Sequence, residues 1–329
     1  MMKQLNKTNL GWLILIALMV VVLFVGVSSN VISPFYQITL VTILINVILA
    51  IGLNLVIGFS GQFSLGHAGF MAIGAYSGAI IGDKIEGLPG FFAGLFVGMF
   101  ISIVVALIVG IPTLRLKGDY LAIATLGVAE IIRILILNMG DLTNGARGIS
   151  GISFPFESNM SFIMVLFLIV IVTSIITINY IHSSPGRATI AIREDEIAAE
   201  SMGVNATTYK VIAFMIGAAT ASIAGSMYGT YFSVINPSDF TFQKSIDVLI
   251  IVVFGGIGSV TGTVVAAVVL GVLNTYLQSF GELRMIFYAL AIIAIMVCRP
   301  GGLLGNHEFT MSALLKRFAK KDSAKKEVQ

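Results

Sequence analysis

Charge is what this sequence lacks. Only 11% of its 329 residues are charged, where a soluble domain carries about 25%. Together with 57% hydrophobic residues and a mean hydropathy of +1.00, this excludes a soluble fold. A single cysteine, Cys298, excludes any disulfide within the chain, and its apolar surroundings make it a small buried hydrophobe. Three widely separated histidines, with no His-Glu-x-x-His and no Cys-x-x-Cys, leave no zinc or dithiol constellation. No Gly-x-Ser-x-Gly occurs, so no nucleophile elbow is present, and no other enzyme constellation is legible. Nor does Gly-x-x-x-x-Gly-Lys-Ser/Thr occur. The chain therefore binds no ATP through a P-loop of its own, and any ATP site must lie on another subunit.

Long apolar runs fill the space. A closed β-barrel needs short alternating segments, which these runs are not. They predict an all-α polytopic membrane protein, with spans of roughly 20 residues each. Ten segments are predicted, at 10–28, 36–58, 67–83, 90–112, 119–138, 160–181, 209–230, 245–257, 260–279 and 283–298. The closely joined pair 245–257 and 260–279 reads either as full crossings or as partial ones. Lys3 and Lys7 precede the first run, but Leu13 to Val27 has no Ala-x-Ala-like cleavage site, so it reads as a retained span rather than a signal peptide. One transmembrane domain, 1–305, is followed by a basic tail, 306–329, which reads as solvated in preference to bound at lipid headgroups. No internal repeat is legible.

Placing the N-terminus in the cytoplasm puts Arg115, Lys117, Arg187, Arg193 and the Lys-rich tail inside. Lys84, Arg147, Lys244 and Arg284 then fall in outer loops. That arrangement obeys the positive-inside rule and makes this a multi-pass cell-membrane protein with both termini in the cytoplasm. Against that background one charged loop stands out, at about 183–208. Pro185 and Gly186 break the preceding helix. Asp195 is an N-cap and Gly203 a helix stop, so a short amphipathic helix is predicted outside the bilayer. Such a capped, charged helix suits the docking of a soluble engine.

Glycines and alanine recur four apart at Gly74, Gly78 and Gly82, at Gly90, Gly94 and Gly98, and at Gly217, Ala221, Gly225 and Gly229. Small-xxx-small rows let helices approach closely in lipid, so tight packing is the reading preferred here. Two further glycine-rich stretches break apolar runs, Gly58 to Phe70 and Phe254 to Gly262. Irregular backbone at membrane depth survives only when buried in protein or lining water. Spacing leaves two readings open, a transport passage and a tight turn. For the passage, Asn54, Ser60, Gln62, Ser64 and His67 are the polar candidates. Taken alone, His67 at a helix start reads as a cap or packing residue. Glu130 and Arg133 lie three apart on one helix face and can pair. A self-neutralised pair is preferred to a polar lining that meets a zwitterionic substrate. Asp247 is a further candidate of this kind.

Four stretches together carry a family resemblance: Gly52 to Phe70, Arg115 to Gly127 with Glu130, Ile131 and Arg133, Gly186 to Ala199 with Gly203, and Gly255 to Ser259 with Gly262 and Arg299 to Gly305. On these the chain resembles the permease subunits of branched-chain amino-acid ABC importers, in particular the longer of the two paired permeases. The resemblance implies that Arg187, Arg193, Glu196, Ala198, Ala199 and Gly203 belong to the loop that docks on the ATPase. Here that motif reads Glu196-Ile-Ala198-Ala199, one residue off the family's Glu-Ala-Ala spelling. The outer stretch Thr143 to Ile149 also departs from the Thr-Gly-Gly-Pro-Asn-Gly-like run of relatives.

The expected partners are a second homologous permease, two cytoplasmic ABC ATPases, an extracytoplasmic amino-acid-binding protein and the lipid bilayer, with no nucleic acid. No cofactor or metal is expected on this chain; ATP is used by the partners. Transport would proceed by alternating access, at the interface with the second permease. Two alternatives remain open: a permease of the same family for urea or short amides, and a carrier driven by an ion gradient through Glu130 and Asp247.

Overall fold

The computed structural model describes residues 33–116 and 118–283, and beyond them 286, 289–290, 292–293, 297, 301–303 and 305. The predicted first span, the tail and most of the segment 283–298 lie outside the described residues. The described chain from Thr39 to Gly305 belongs to one compact unit.

Apolar runs become helices whose ends are set by a few residues. Helix α1 (Pro34–Asn54) starts on a proline and ends in a π-turn, Leu55–Phe59. After an irregular stretch come α2 (His67–Lys84), α3 (Leu88–Thr113) and α4 (Asp119–Asn138). A one-turn helix α5 (Gly140–Thr143) leads to strand β1 (Ile149–Ser150) and then to α6 (Asn159–His182). Two short helices follow, α7 (Ser184–Glu194) and α8 (Glu196–Ser201), and then the long α9 (Ala206–Phe232). Strand β2 (Val234–Ile235), α10 (Phe242–Gly255) and α11 (Val260–Leu277) complete the order. Ser158, Ser183, Asp195, Asn205 and Ser259 each accept a backbone N–H of the first turn, capping α6, α7, α8, α9 and α11.

Six of the described helical segments are long and apolar enough to cross a membrane: Pro34–Phe59, Leu88–Thr113, Asp119–Asn138, Asn159–His182, Ala206–Phe232 and Val260–Leu277. Helix α2 matches the predicted segment 67–83 within a residue, but its 18 residues include His67, Asp83 and Lys84, which lower its mean hydropathy and leave it outside that set. Helix α10 has 14 residues, about 21 Å at 1.5 Å per residue, which falls short of a hydrocarbon core about 30 Å thick. Of the two readings of the 245–257 segment, this length favours the partial crossing. The charged loop also differs from its prediction. Pro185 breaks the preceding helix as expected, α6 ending at His182, and then occupies the first turn of α7, where its missing N–H has no partner to lose. The short helix expected after Asp195 is α8, and Gly203 follows it at φ +84°.

At the centre, α2 packs on α3 and α9, and α9 on α3. The small-residue rows are where they meet. A Cβ at Gly225 would stand 1.9 Å from the Met71 carbonyl oxygen, and one at Gly74 equally close to that of Ser222. Ser226 Oγ donates to the Gly74 carbonyl at 2.9 Å, a bond available only because the backbones touch. At the far end from the charged loop, β1 pairs antiparallel with β2, Ile149 opposite Ile235 and Ser150 opposite Val234.

Gly225→Ala is expected to destabilise the bundle by about 1–3 kcal/mol, the usual range for overpacking. Gly82→Ala, with nothing within 4 Å of the added carbon, should stay within about 0.5 kcal/mol of the parent. Thermal unfolding of the purified chain in mild detergent compares the two.

Candidate functional site

The two glycine-rich breaks join at one end of the bundle. Asn54, fully buried at the end of α1, makes the joint. Its Nδ2 donates to the Ser259 carbonyl at 2.9 Å and to Thr263 Oγ1 at 2.8 Å. Its Oδ1 accepts the Gly258 N–H at 2.9 Å. All three bonding groups lie in or just after the second break. The backbones are as close as the bonds suggest: a Cβ at Gly58 would stand 2.4 Å from the Gly258 nitrogen. The stretch that follows Pro300 packs on the same joint, with Leu303 N–H donating to the Phe254 carbonyl at 2.8 Å.

The charged loop reaches into this joint. From the last turn of α7, Arg193 donates through a terminal guanidinium nitrogen to the Gly58 carbonyl at 2.5 Å. A carbonyl at a helix end has no partner within its own helix, and here an arginine supplies one. The Arg193 stem lies against Gly61, where a Cβ would be 2.8 Å from Cγ, and the guanidinium lies beside Gly258. Its remaining donors go to Glu194. Helix α8 is tied separately. Glu196 pairs with Lys210 of α9 at 2.8 Å, and the Lys210 carbonyl accepts Gln62 Nε2 at 3.0 Å. Beneath the loop, Ile192, Ala199 and Ala206 form a small buried cluster with Val204 and Tyr209 against it. Above it, Ile197 is 75% and Met202 85% exposed.

The remaining sequence candidates divide into two groups. Ser60, Gln62, Ser64 and His67 are all buried with Asn54 along the first break. Ser60 Oγ accepts from Gln62, and Ser64 Oγ accepts the Gly66 N–H at 3.3 Å. Leu65 N–H donates to Thr125 Oγ1 and Ala68 N–H to Ser245 Oγ, each at 3.0 Å, so α4 and α10 also satisfy this stretch. Glu130 and Arg133 stand apart from this group. They pair with each other, Arg133 Nε lying 3.0 and 2.9 Å from the two carboxylate oxygens, with the side chains 40% and 23% exposed. On the charged loop, Ala199 is buried, while Arg187, Ala198 and Gly203 are exposed and do not touch the joint. Arg187 instead donates to the His182 carbonyl at 3.2 Å.

Lys244, which hydropathy reads as an outer-loop residue, has a specific partner that this reading does not supply. It lies in the first turn of α10, and its Nζ donates to Asn46 Oδ1 of α1 at 3.1 Å. Helical spacing to Asp247, three residues on, was the available signal.

The profile of the family described as branched-chain amino acid transport system / permease component matches residues 35–296. This chain belongs to that family. The permease is 37% identical over 290 residues to the high-affinity branched-chain amino acid transport system permease protein LivM of Salmonella typhimurium, covering 79% of this chain and 68% of that protein. The LivM protein of Escherichia coli matches to the same extent. LivH of Salmonella typhimurium, also named a permease protein of that system, is 26% identical over 287 residues, 79% of this chain and 91% of LivH. No solved structure matches the permease. Both glycine breaks and the charged loop of the permease fall inside the matched region.

Replacing Asn54 by leucine would leave the Gly258 N–H and Ser259 carbonyl without their partner. A loss of about 1–3 kcal/mol is expected, read as a lowered unfolding temperature of the detergent-purified chain.

Proposed function

We propose that this permease is the transmembrane subunit of an ATP-driven importer of branched-chain amino acids. It pairs in the membrane with a second, homologous permease, takes substrate from an extracytoplasmic binding protein and docks two cytoplasmic ATPases. It binds no cofactor and has no ATPase site; the partners use ATP. The proposed topology has about ten segments in a domain 1–305, a cytoplasmic tail 306–329, and both termini inside. In support, Arg115, Arg187, Arg193 and Lys210 flank the charged-loop side of the spans.

The observation that carries the reading is the surface of the charged loop. Ile197 on the six-residue helix α8 and Met202 at its C-cap are bare apolar side chains among acidic residues. A helix that short does not hold itself together in water. Here an Asp195 cap and the Glu196–Lys210 ion pair hold it. Ordered, exposed apolar groups outside the lipid favour a soluble protein partner. When the ATPases close, the loop is displaced, and Arg193 carries that displacement to the joined breaks. Only a difference in affinity between docked states is required for ATP binding to shift the permease.

Affinity purification of the tagged chain from native membranes in mild detergent tests the assembly. A second permease and P-loop ATPases are expected to co-purify; recovery of the chain alone would overturn the reading. In the same cells, Gly203→Val is expected to cut uptake about tenfold while the protein still reaches the membrane. The left-handed backbone at φ +84° costs a β-branched residue about 1–2 kcal/mol, so the docking turn cannot keep its shape.

A further inference from the structure

Among the described residues, two pairs of opposite charge occur on helices of this permease at the same spacing, and one of them is closed. Glu130 and Arg133, three apart on α4, neutralise each other in a two-pronged ion pair. Lys244 and Asp247, three apart on α10, could pair in the same way. Among the described residues no ion pair joins them. Lys244 turns to Asn46 Oδ1 at 3.1 Å, and Asp247 receives a long 3.4 Å contact from Gln243 Nε2. An ammonium has three donors and a carboxylate about four acceptor positions, so most of the bonding capacity of both groups is open.

Their depth makes this costly. Asn46 is the thirteenth residue of the 26-residue span Pro34–Phe59, so the Lys244 ammonium is held halfway along a membrane-crossing helix. Ser245 is bonded to Ala68 N–H, and one residue further on Gly69 would press a Cβ to 2.8 Å from Ala129 on α4. The start of α10 therefore lies level with the middle of α4. Charges at that depth are expensive and persist where they serve a polar path. The short α10 is what brings them there, since a partial crossing starts inside the membrane and not at its surface. Gln243 and Asp247 are exposed on the surface of this chain, and Lys244 is half-buried behind them.

We propose that Lys244 and Asp247 form an open jaw for the zwitterionic head of an amino acid in transit, Lys244 taking the carboxylate and Asp247 the ammonium. Asn46 positions the Lys244 side chain. The site rests on the importer reading above and narrows it. A urea or short-amide substrate carries no pair of full charges to close the jaw, so this chemistry selects amino acids within the family.

The test uses the intact complex, permeases with ATPases and binding protein, in proteoliposomes supplied with radiolabelled leucine and ATP. Lys244→Met and Asp247→Asn are each expected to lower leucine moved per ATP hydrolysed by roughly tenfold to a hundredfold, with all partners still co-purifying. Lys244→Arg, which keeps a carboxylate donor, is expected to recover most of the loss. The double variant Lys244→Met/Asp247→Asn separates a ligand site from mutual neutralisation. A jaw stays defective without both charges, whereas charges that merely offset one another could be removed together and uptake would return. Return of uptake in the double variant, parental uptake in either single variant, or loss of the second permease from the complex would each overturn the proposal. If the parent complex moves no leucine with ATP, the importer reading itself fails, and the jaw with it.

Discussion

Backbone that leaves a helix inside a membrane must find its hydrogen bonds within the protein, because the hydrocarbon offers none. The architecture of this permease follows from how it meets that demand at two glycine-rich breaks. The breaks satisfy one another through Asn54, whose amide bonds three groups of the other segment. Side chains from the surrounding helices cover what remains: Thr125 from α4, Ser245 from α10 and Arg193 from α7. A single joint thus gathers α1, α4, α10, α11 and the charged loop. Glycine at 58 and 258 is needed there because the two chains pass closer than any side chain would allow.

Lipid supplies little drive for one apolar helix to prefer another, so close backbone contact and occasional hydrogen bonds do that work. The permease keeps the two devices apart. Its centre, where α2, α3 and α9 meet, is built from small residues and backbone contact, with Ser226 adding one bond. Most side-chain hydrogen bonds between distant segments, by contrast, lie at the joint and at the start of α10. The Glu130–Arg133 pair is an outlier on α4, closed on itself and partly exposed.

Much of this was legible in the sequence where the cause is local. The Asp195 cap and the Gly203 stop lie where the sequence predicts them, and the i,i+3 spacing of Glu130 and Arg133 announces their pairing. The glycine-rich breaks were visible as interruptions, yet their union was not. Asn54 and Ser259 are 205 residues apart, and no periodicity connects positions at that separation. Pro185 breaks the chain after His182 as its chemistry requires, but that the same proline opens a new helix depends on the Ser183 cap before it. Lys244 reads from hydropathy as an outer-loop residue, and its contact with Asn46 of α1, 198 residues away, is invisible to composition along the chain. The strands, two residues each, are below any sequence signal.

The small β1–β2 ladder has a mechanical consequence. It clasps the segment after α4 to the segment after α9, and Gly151 N–H adds a bond to the Ser233 carbonyl at 3.0 Å. Helix α9 is therefore pinned where it ends, at Phe232, while its opposite end bears the Lys210 tether to α8. With 27 residues it is about 40 Å long. A pointer of that length, pivoting at its pinned end through about 5°, sweeps its free tip through about 3.5 Å. That sweep is longer than any of the hydrogen bonds holding the tip, so a rotation too slight to disturb the clasp is enough to exchange one set of contacts at the charged loop for another.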